Sequence, residues 1–191
     1  NGFYIAPYQR GYKWGSNENE PVLRLAKDIH NSFIETNNDQ SKEYYLQYIT
    51  LKPIKIDGQQ NFLEVIDGQQ RLTTLSILLA VLNKIDTNCI NTANHKINYA
   101  LSKSFLNNWI YDKNIEKIIE ESTWESFISQ NPNEDKQDVF YLFQAIKALY
   151  KYIVDEIKVE NSVAFYKHLS KNIKLIVNAV EPHVESEKVF R

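Results

Sequence analysis

The chain has 191 residues, of which 43% are hydrophobic and 24% are charged, and its formal net charge is −2. These values are typical of a soluble globular protein with one compact domain, or one domain and an extension. No apolar run approaches the roughly 20 residues that span a bilayer. The single cysteine, Cys89, excludes disulfide frameworks and cysteine-based zinc sites and suits a cytoplasmic protein. The weak negative charge predicts no general attraction to nucleic acid.

The first forty residues predict a strand, a loop and a helix. Residues 3–6 read as a short strand that Pro7 ends. Residues 7–15 form a loop that is dense in aromatic and cationic side chains. Ser16 or Asn17 can cap the next helix, in which apolar residues recur at helical spacing between positions 22 and 33.

The next segment predicts a hairpin that leads into a buried helix. Residues 44–52 and 62–66 are rich in aromatic and β-branched residues and read as two strands joined at the Asp57-Gly58 turn. The apolar run at 72–82 is too long for a typical strand and predicts a helix. Asp67 lies where its N-cap belongs, and Gln70 stands at the spacing of a capping box.

The second half predicts mainly helices and one further strand. Polar sequence covers positions 87–135, and the apolar β-branched run at 173–180 is suited to an inner strand, ended by Pro182. Helical patterns occur at 105–109, 124–128, 135–157 and 162–169. We therefore predict an α+β fold. A sheet with helices forms a core over residues 1–86, and a mainly helical extension, 87–191, returns to it through the last strand.

An internal repeat separates a turn from a candidate site. The string Ile-Asp-Gly-Gln-Gln occurs at 56–60 and again at 66–70. The first copy is explained by a hairpin turn, since Asp-Gly is favoured there. The second copy lies between a strand and a helix, and Arg71 comes directly after it.

The second copy has the chemistry of an anion site. Gly68 lets the backbone approach a ligand closely, and the first N–H groups of a helix have no acceptor within it. Together with the helix dipole and the guanidinium of Arg71, these amides suit a phosphate. Asp67 can hold Mg²⁺ or orient a water, although capping its own helix is the simpler structural role.

Three ordered motifs resemble one family. They are FYIAPYQRGYKW at 3–14, LAKDI at 25–29 and VIDGQQRLTTL at 65–75. Together they are similar to the N-terminal domain of GmrSD-type restriction endonucleases, a family with a DGQQR motif and a ParB/sulfiredoxin-like core. The similarity is specific over about the first 85 residues, and the remainder matches loosely. Ala6 departs from the family, in which proline is common, and this affects loop rigidity rather than chemistry.

The resemblance implies binding and hydrolysis of a nucleoside triphosphate with Mg²⁺, coupled to cleavage of modified or foreign DNA. The implied catalytic residues are Asp67, Gln69, Gln70 and Arg71. The implied nucleotide-binding residues are Tyr8, Gln9, Arg10, Gly68 and Arg71. Asp67 is the candidate Mg²⁺ ligand. Implied partners are the nucleotide, DNA through the full-length protein, a nuclease domain and further copies of the chain, with no membrane.

Nuclease activity is not expected within these residues. The four histidines, His30, His95, His168 and His183, are scattered and lack metal-ligand spacing. The family's nuclease is usually a separate C-terminal domain of the His-Asn-His type. The sequence has no methionine, even at position 1, and stops inside an apparent helix. We therefore expect it to be a fragment of a longer protein.

Other residues have candidate roles beside simpler structural ones. Tyr8, Tyr12 or Trp14 can stack on a base, although Tyr12 and Trp14 can instead pack on the first helix. Asp28 is a candidate supporting residue or a solvated surface charge. Glu64, on the strand that enters the motif, is a candidate base for orienting water.

Three functional hypotheses remain at this point. The first is a hydrolysing nucleotide switch that gates an attached nuclease. The second is a non-catalytic sensor or clamp that changes shape on DNA when nucleotide binds. A sulfiredoxin-like phosphotransfer enzyme is disfavoured because no cysteine lies near the motif.

Overall fold

A five-stranded mixed sheet organises the chain. The structure is a computed structural model that describes residues 2–36, 42–56, 60–89, 97–111 and 114–189. The strands in chain order are β1 Gly2–Ile5, β2 Tyr44–Ile56, β3 Gln60–Asp67, β4 Ile97–Tyr99 and β5 Ile173–Ala179. They lie in the order β4-β1-β3-β2-β5. β2 and β3 are antiparallel, whereas the other neighbours are parallel. The prediction of a sheet combined with helices is confirmed.

Helices supply the rest of the core. They are α1 Pro21–Thr36, α2 Gln69–Ile85, α3 Lys103–Phe105, α4 Ile115–Glu120, α5 Trp124–Gln130, α6 Gln137–Tyr152, α7 Ser162–Lys171 and α8 Ser186–Val189. Turns of π-helix extend α3 through Leu106–Ile110 and α6 through Ile153–Ile157. The helical patterns predicted at 105–109, 124–128, 135–157 and 162–169 are therefore confirmed. None of the helices in the described ranges is long and apolar enough to cross a membrane.

The centre of the core lies where α6 packs against α1 and α2. Leu142, Ile146 and Leu149 recur at helical spacing on α6 and are fully buried. Burying a side chain of this size stabilises a fold by roughly 1.5–3 kcal/mol. α2 is buried around most of its circumference, which explains its unbroken apolar run at 77–82. Because α2 is buried, the residues of its first turn are attached directly to the core.

The predicted hairpin is confirmed. β2 and β3 pair antiparallel from Ile56↔Gln60 to Thr50↔Asp67, over more residues than the sequence pattern predicted. The predicted turn residues, Asp57 and Gly58, lie outside the described residues. At the other end of the hairpin, β3 leads directly into α2.

The predicted cap of α2 is wrong. The N-cap is Gly68, not Asp67, and within the described part of the chain no side-chain cap is seen at this helix. Asp67 is still the last residue of β3, where it pairs with Thr50. The helix starts at Gln69, so Gly68 alone makes the change of direction. Gln70 does not complete a capping box, because its side chain is bonded to another segment.

The two strands from the second half both lie at the edges of the sheet. The prediction that residues 173–180 form an inner strand is wrong, because β5 pairs only with β2 among the described residues. Ile176 and Val177 are consequently more than half exposed. β4 was not predicted from the sequence, since three residues carry too short a pattern. The predicted boundary near residue 86 stays a prediction.

Candidate functional site

One cleft brings together segments that are distant in the sequence. It has a volume of about 660 Å³ and opens where β3 meets α2. Its walls come from the loop after β1, an irregular part of β2, and the β3–α2 turn. The lining residues are Tyr8, Gln9, Arg10, Trp14, Gln47, Tyr48, Asp67, Gly68, Gln69, Gln70 and Arg71. Every residue that the family resemblance implied for nucleotide binding therefore borders the same space.

The β3–α2 turn requires glycine for two reasons. Gly68 has a φ of 86°, in the left-handed region that residues with a Cβ rarely adopt. A Cβ at this position would also lie 2.6 Å from Cγ2 of Ile49. The turn places the start of α2 at the cleft, where the first amides of the helix have no acceptor within the helix. These groups and the helix dipole favour an anion.

Asp67 presents a carboxylate at the mouth of the turn. Its side chain is exposed, and Oδ1 accepts a hydrogen bond of 2.8 Å from the backbone N–H of Gly68. This contact closes the turn without capping the helix. Among the described residues, Oδ2 takes part in no hydrogen bond, so one carboxylate oxygen is available to a ligand.

Arg71 is held beside the turn by two acceptors from β2. Nη1 donates to the carbonyl oxygen of Tyr48 at 3.1 Å, and Nη2 donates to Oε1 of Gln47. The pairing of β2 with β5 shifts register between Leu46 and Ile49, and this irregularity presents both acceptors. Partial burial lowers the pKa of Arg71, while the charge of Asp67 opposes the shift. The guanidinium remains a cation at neutral pH.

Gln69 and Gln70 line the cleft but are only 5% exposed. The carboxamide of Gln70 bonds to the backbone of the loop at Gly11 and Lys13. Oε1 of Gln69 accepts a long contact of 3.5 Å from the hydroxyl of Tyr99. Both side chains therefore brace neighbouring segments.

The start of the loop is anchored to β3. Gln9 is 2% exposed, and its Nε2 donates to the carbonyl oxygen of Val65 at 2.5 Å. Tyr8 is 39% exposed, and its hydroxyl donates to Oε1 of Glu64 at 2.9 Å. Burial raises the pKa of Tyr8, and the hydrogen bond to Glu64 adds to the shift. Tyr8 offers an aromatic surface to the cleft, whereas Gln9 fixes the loop.

Of the next residues in this loop, one is buried in the core and two line the cleft. Tyr12 is fully buried, and its hydroxyl is 2.7 Å from Oγ1 of Thr74, so its predicted role in stacking is excluded. Trp14 is half-buried and packs against the core while it lines the cleft. Arg10 is exposed at the cleft, and its carbonyl oxygen accepts a hydrogen bond of 2.5 Å from Tyr99.

Two candidates from the sequence lie outside the cleft. Glu64 is 6% exposed, and its carboxylate accepts hydrogen bonds from Tyr8 and, at 2.6 Å, from Oγ of Ser186. Because both oxygens are bonded to hydroxyls, its candidate role as a water-orienting base has no support in this geometry. Asp28 is exposed on α1. Burial raises the pKa of nearby Tyr44, and the negative charge of Asp28 raises it further by a smaller amount.

Sequence reasoning missed three residues of the site. Gln47 and Tyr48 lie in an ordinary strand pattern, and only the register shift in β2 brings them to Arg71. Tyr99 lies on the short β4, which pairs with β1 and so reaches the loop after β1. No local signal marks these contacts, because each depends on which strands are neighbours.

The described histidines lie away from the cleft. His30 contacts Tyr152, His168 contacts two hydroxyls of α1, and His183 pairs with Glu181. His95 lies outside the described residues. Within the described part of the chain, no three His, Cys, Asp or Glu side chains are grouped to hold a metal ion.

Comparison with protein families assigns the whole chain to one family. A family model described as the GmrSD restriction endonuclease, N-terminal domain, matches residues 1–191. No curated protein shows a significant match to the sequence. The family match confirms the resemblance that the loop and DGQQR motifs predicted, and it extends over the second half, where the motifs were weak. The chain therefore belongs to the family of GmrSD restriction endonuclease N-terminal domains.

Proposed function

We propose that the cleft binds and hydrolyses a nucleoside triphosphate and that this regulates the DNA-cleaving part of a restriction system. The observation that carries the proposal is the convergence of the Tyr8–Arg10 and Asp67–Arg71 segments on one cleft of about 660 Å³. Those segments are the two that the family resemblance implied for the nucleotide. The volume lies in the range of small-molecule and cofactor sites, which is about 300–1,000 Å³.

Phosphates would bind at the β3–α2 turn. The N–H groups at the start of α2 supply donors that cost no rearrangement. Arg71 lies beside them, and Arg10 faces the cleft from the loop. A guanidinium binds phosphate oxygens through paired hydrogen bonds, which makes two arginines an effective clamp.

The base would stack on an aromatic wall. Tyr8, Trp14 and Tyr48 line the cleft, and Tyr8 and Tyr48 are 39% and 55% exposed. Aromatic rings bind any base through its π-face, at about 1–3 kcal/mol for each stacked base. This wall supports binding of a nucleotide rather than of inorganic phosphate alone.

Asp67 fits the requirements of Mg²⁺. The cation keeps several waters and usually takes one or two carboxylates together with phosphate oxygens. Oδ2 of Asp67, which takes part in no hydrogen bond among the described residues, would provide one such ligand. When bound, Mg²⁺ would neutralise charge on the transferred phosphoryl group.

The residues of the chain would divide the hydrolytic work between positioning and charge stabilisation. Asp67 would orient the attacking water, and Arg71 with the helix amides would stabilise charge on the phosphoryl oxygens. Gln69 and Gln70 would hold the frame of the site, since they are nearly buried. Phosphoryl transfer needs little more than such positioning and electrostatics.

The downstream consequence would be control of a nuclease. Membership in a restriction endonuclease family implies an associated nuclease domain. We propose that the sheet is a ParB/sulfiredoxin-like core, that DNA is contacted through the full-length protein, and that turnover gates cleavage of modified or foreign DNA.

A non-catalytic nucleotide sensor is the second candidate. It is favoured by one observation: among the described residues that line the cleft, Asp67 is the only one with a carboxylate. In a sensor, nucleotide would bind and change the shape of the protein without rapid hydrolysis.

Phosphate release distinguishes the two candidates. Purified protein would be incubated with ATP or GTP and Mg²⁺, with and without DNA, and free phosphate would be followed over time. We expect multiple turnovers that Arg71→Ala abolishes. Tight binding without turnover under all conditions would favour the sensor, and absence of binding would refute both.

A further inference from the structure

The loop at residues 10–16 lines the cleft but contains no helix or strand of its own. Its backbone is held instead by a side chain of the DGQQR motif. Oε1 of Gln70 accepts a hydrogen bond of 2.7 Å from the backbone N–H of Lys13, and Nε2 donates to the carbonyl oxygen of Gly11 at 3.2 Å. Gln70 itself is 5% exposed, and the two bonds are partly buried.

A carboxamide has the same donor and acceptor as a peptide group, so Gln70 bonds to the loop as a neighbouring strand would. Backbone groups that are partly withdrawn from water need partners, and here one side chain satisfies two of them. Between those two groups lies Tyr12, whose ring is fully buried and whose hydroxyl reaches Oγ1 of Thr74 on α2. The loop is thereby attached to α2 at three adjacent residues.

The opposite side of the loop is also confined. A Cβ at Gly11 would lie 2.8 Å from Cβ of Asp138 on α6, so the backbone passes closely between α2 and α6. The carbonyl oxygen of Arg10 is bonded to Tyr99. Arg10 and Trp14 flank the clamped residues, and both line the cleft.

We propose that Gln70 is a positioning residue that holds Arg10 and Trp14 at the cleft by clamping the backbone of residues 11–13. This assignment rests on the proposed function for its effect on nucleotide, but the clamp itself is independent of it. Gln70 acts through the loop, because both polar atoms of its carboxamide are bonded to Gly11 and Lys13. It is therefore distinct from Asp67 and Arg71, which face the ligand space.

Limited digestion with trypsin tests the clamp directly. Trypsin cleaves after Arg10 and Lys13, which lie within or beside the clamped segment. Gln70→Met keeps the length of the side chain and removes both hydrogen bonds. Two such bonds correspond to at least about a tenfold change in the population of an opened loop. We expect cleavage at these two sites to accelerate by about tenfold or more, with little change elsewhere.

The internal repeat supplies a matched control. Gln60 holds the same position in the first Ile-Asp-Gly-Gln-Gln string, and Gln60→Met should leave cleavage of the loop unchanged. Gln70→Glu is the second variant if Gln70→Met does not fold. It keeps the acceptor for Lys13 and loses the donor to Gly11, so it should also accelerate cleavage. Equal cleavage rates in a folded Gln70 variant and in wild type would overturn the proposal.

A double-mutant cycle tests whether Gln70 acts through the loop. Calorimetry with ATP or GTP and Mg²⁺ should show affinity reduced by about tenfold in Gln70→Met. In a background of Arg10→Ala and Trp14→Ala, the same change should cost less than about twofold, because the loop no longer supplies the contacts. Additive losses would place Gln70 in direct contact with nucleotide and overturn the proposal. If wild type binds neither nucleotide, the proposed function fails, and the tryptic pattern still decides the clamp.

Discussion

Replacing Asp67 by asparagine separates the structural role of this residue from its proposed chemical role. Asparagine retains an oxygen at the position of Oδ1, so the 2.8 Å hydrogen bond from the N–H of Gly68 can persist. Only the charge on the acceptor and its second carboxylate oxygen are lost. Because the side chain is exposed and does not cap α2, we expect a loss of stability below about 1 kcal/mol. For a protein of this size, that is a fall in Tm of about 2–4 °C at most.

The effect on hydrolysis should be far larger. The amide is a poor Mg²⁺ ligand and cannot act as a base, and losing a positioned acid or base typically costs about 10²–10⁴ in rate. We expect phosphate release to fall by two orders of magnitude or more. Phosphate release and thermal melting would be measured on the same preparation. Asp57→Asn, the same change in the first copy of the repeat, should leave turnover normal and cost on the order of 1 kcal/mol at most.

The result that would refute this reasoning is normal turnover in a folded Asp67→Asn protein. Asp67 would then serve only to close the β3–α2 turn, through its contact with Gly68. The chemistry would move to Arg71 and the loop. A large fall in Tm would contradict the expected small loss of stability, because it would mean that the charge of Asp67 stabilises the fold.

The geometry makes three further predictions. Arg71→Ala should weaken binding of triphosphate in calorimetry by about tenfold to a hundredfold, because a charged hydrogen bond is worth about 1.5–3 kcal/mol. Equal affinity in the variant and in wild type would contradict the assignment of Arg71 to the phosphate site. Gly68→Ala should lower the free energy of unfolding by about 2–3 kcal/mol, because φ is 86° and the new Cβ would lie 2.6 Å from the side chain of Ile49. Gly2→Ala is the control and should cost much less, since its Cβ would lie 3.4 Å from the nearest atom, in Phe62. Burial lowers the pKa of His168 below 6.5, so the unfolded state binds more protons and stability should fall as pH drops below about 6.5. Urea unfolding across this range should show a flatter profile in His168→Asn, and an unchanged profile would exclude His168 as the cause.

Local patterns predicted most of the secondary structure because each element carries its own periodicity. The long apolar run after the DGQQR motif predicted α2, and α6 was predicted from apolar residues such as Leu142 and Ile146 at helical spacing. The two copies of the Ile-Asp-Gly-Gln-Gln string show that a local pattern does not by itself decide the structure. They share their letters, but the second copy bends through Gly68 into a helix. The local signs of that difference were Arg71 and the apolar run after it, which the first copy lacks.

The sequence by itself determined the family, the aromatic and cationic loop, and the strand, glycine and arginine that form the β3–α2 turn. Only the tertiary structure decided that Gly68 rather than Asp67 caps α2 and that β5 lies at an edge. It also decided that Gln70 bonds to a loop nearly sixty residues earlier. The physical reason is that periodicity and turn propensity act between near neighbours in the chain. Strand order, register shifts and the partners of buried polar groups are instead settled by packing between distant segments.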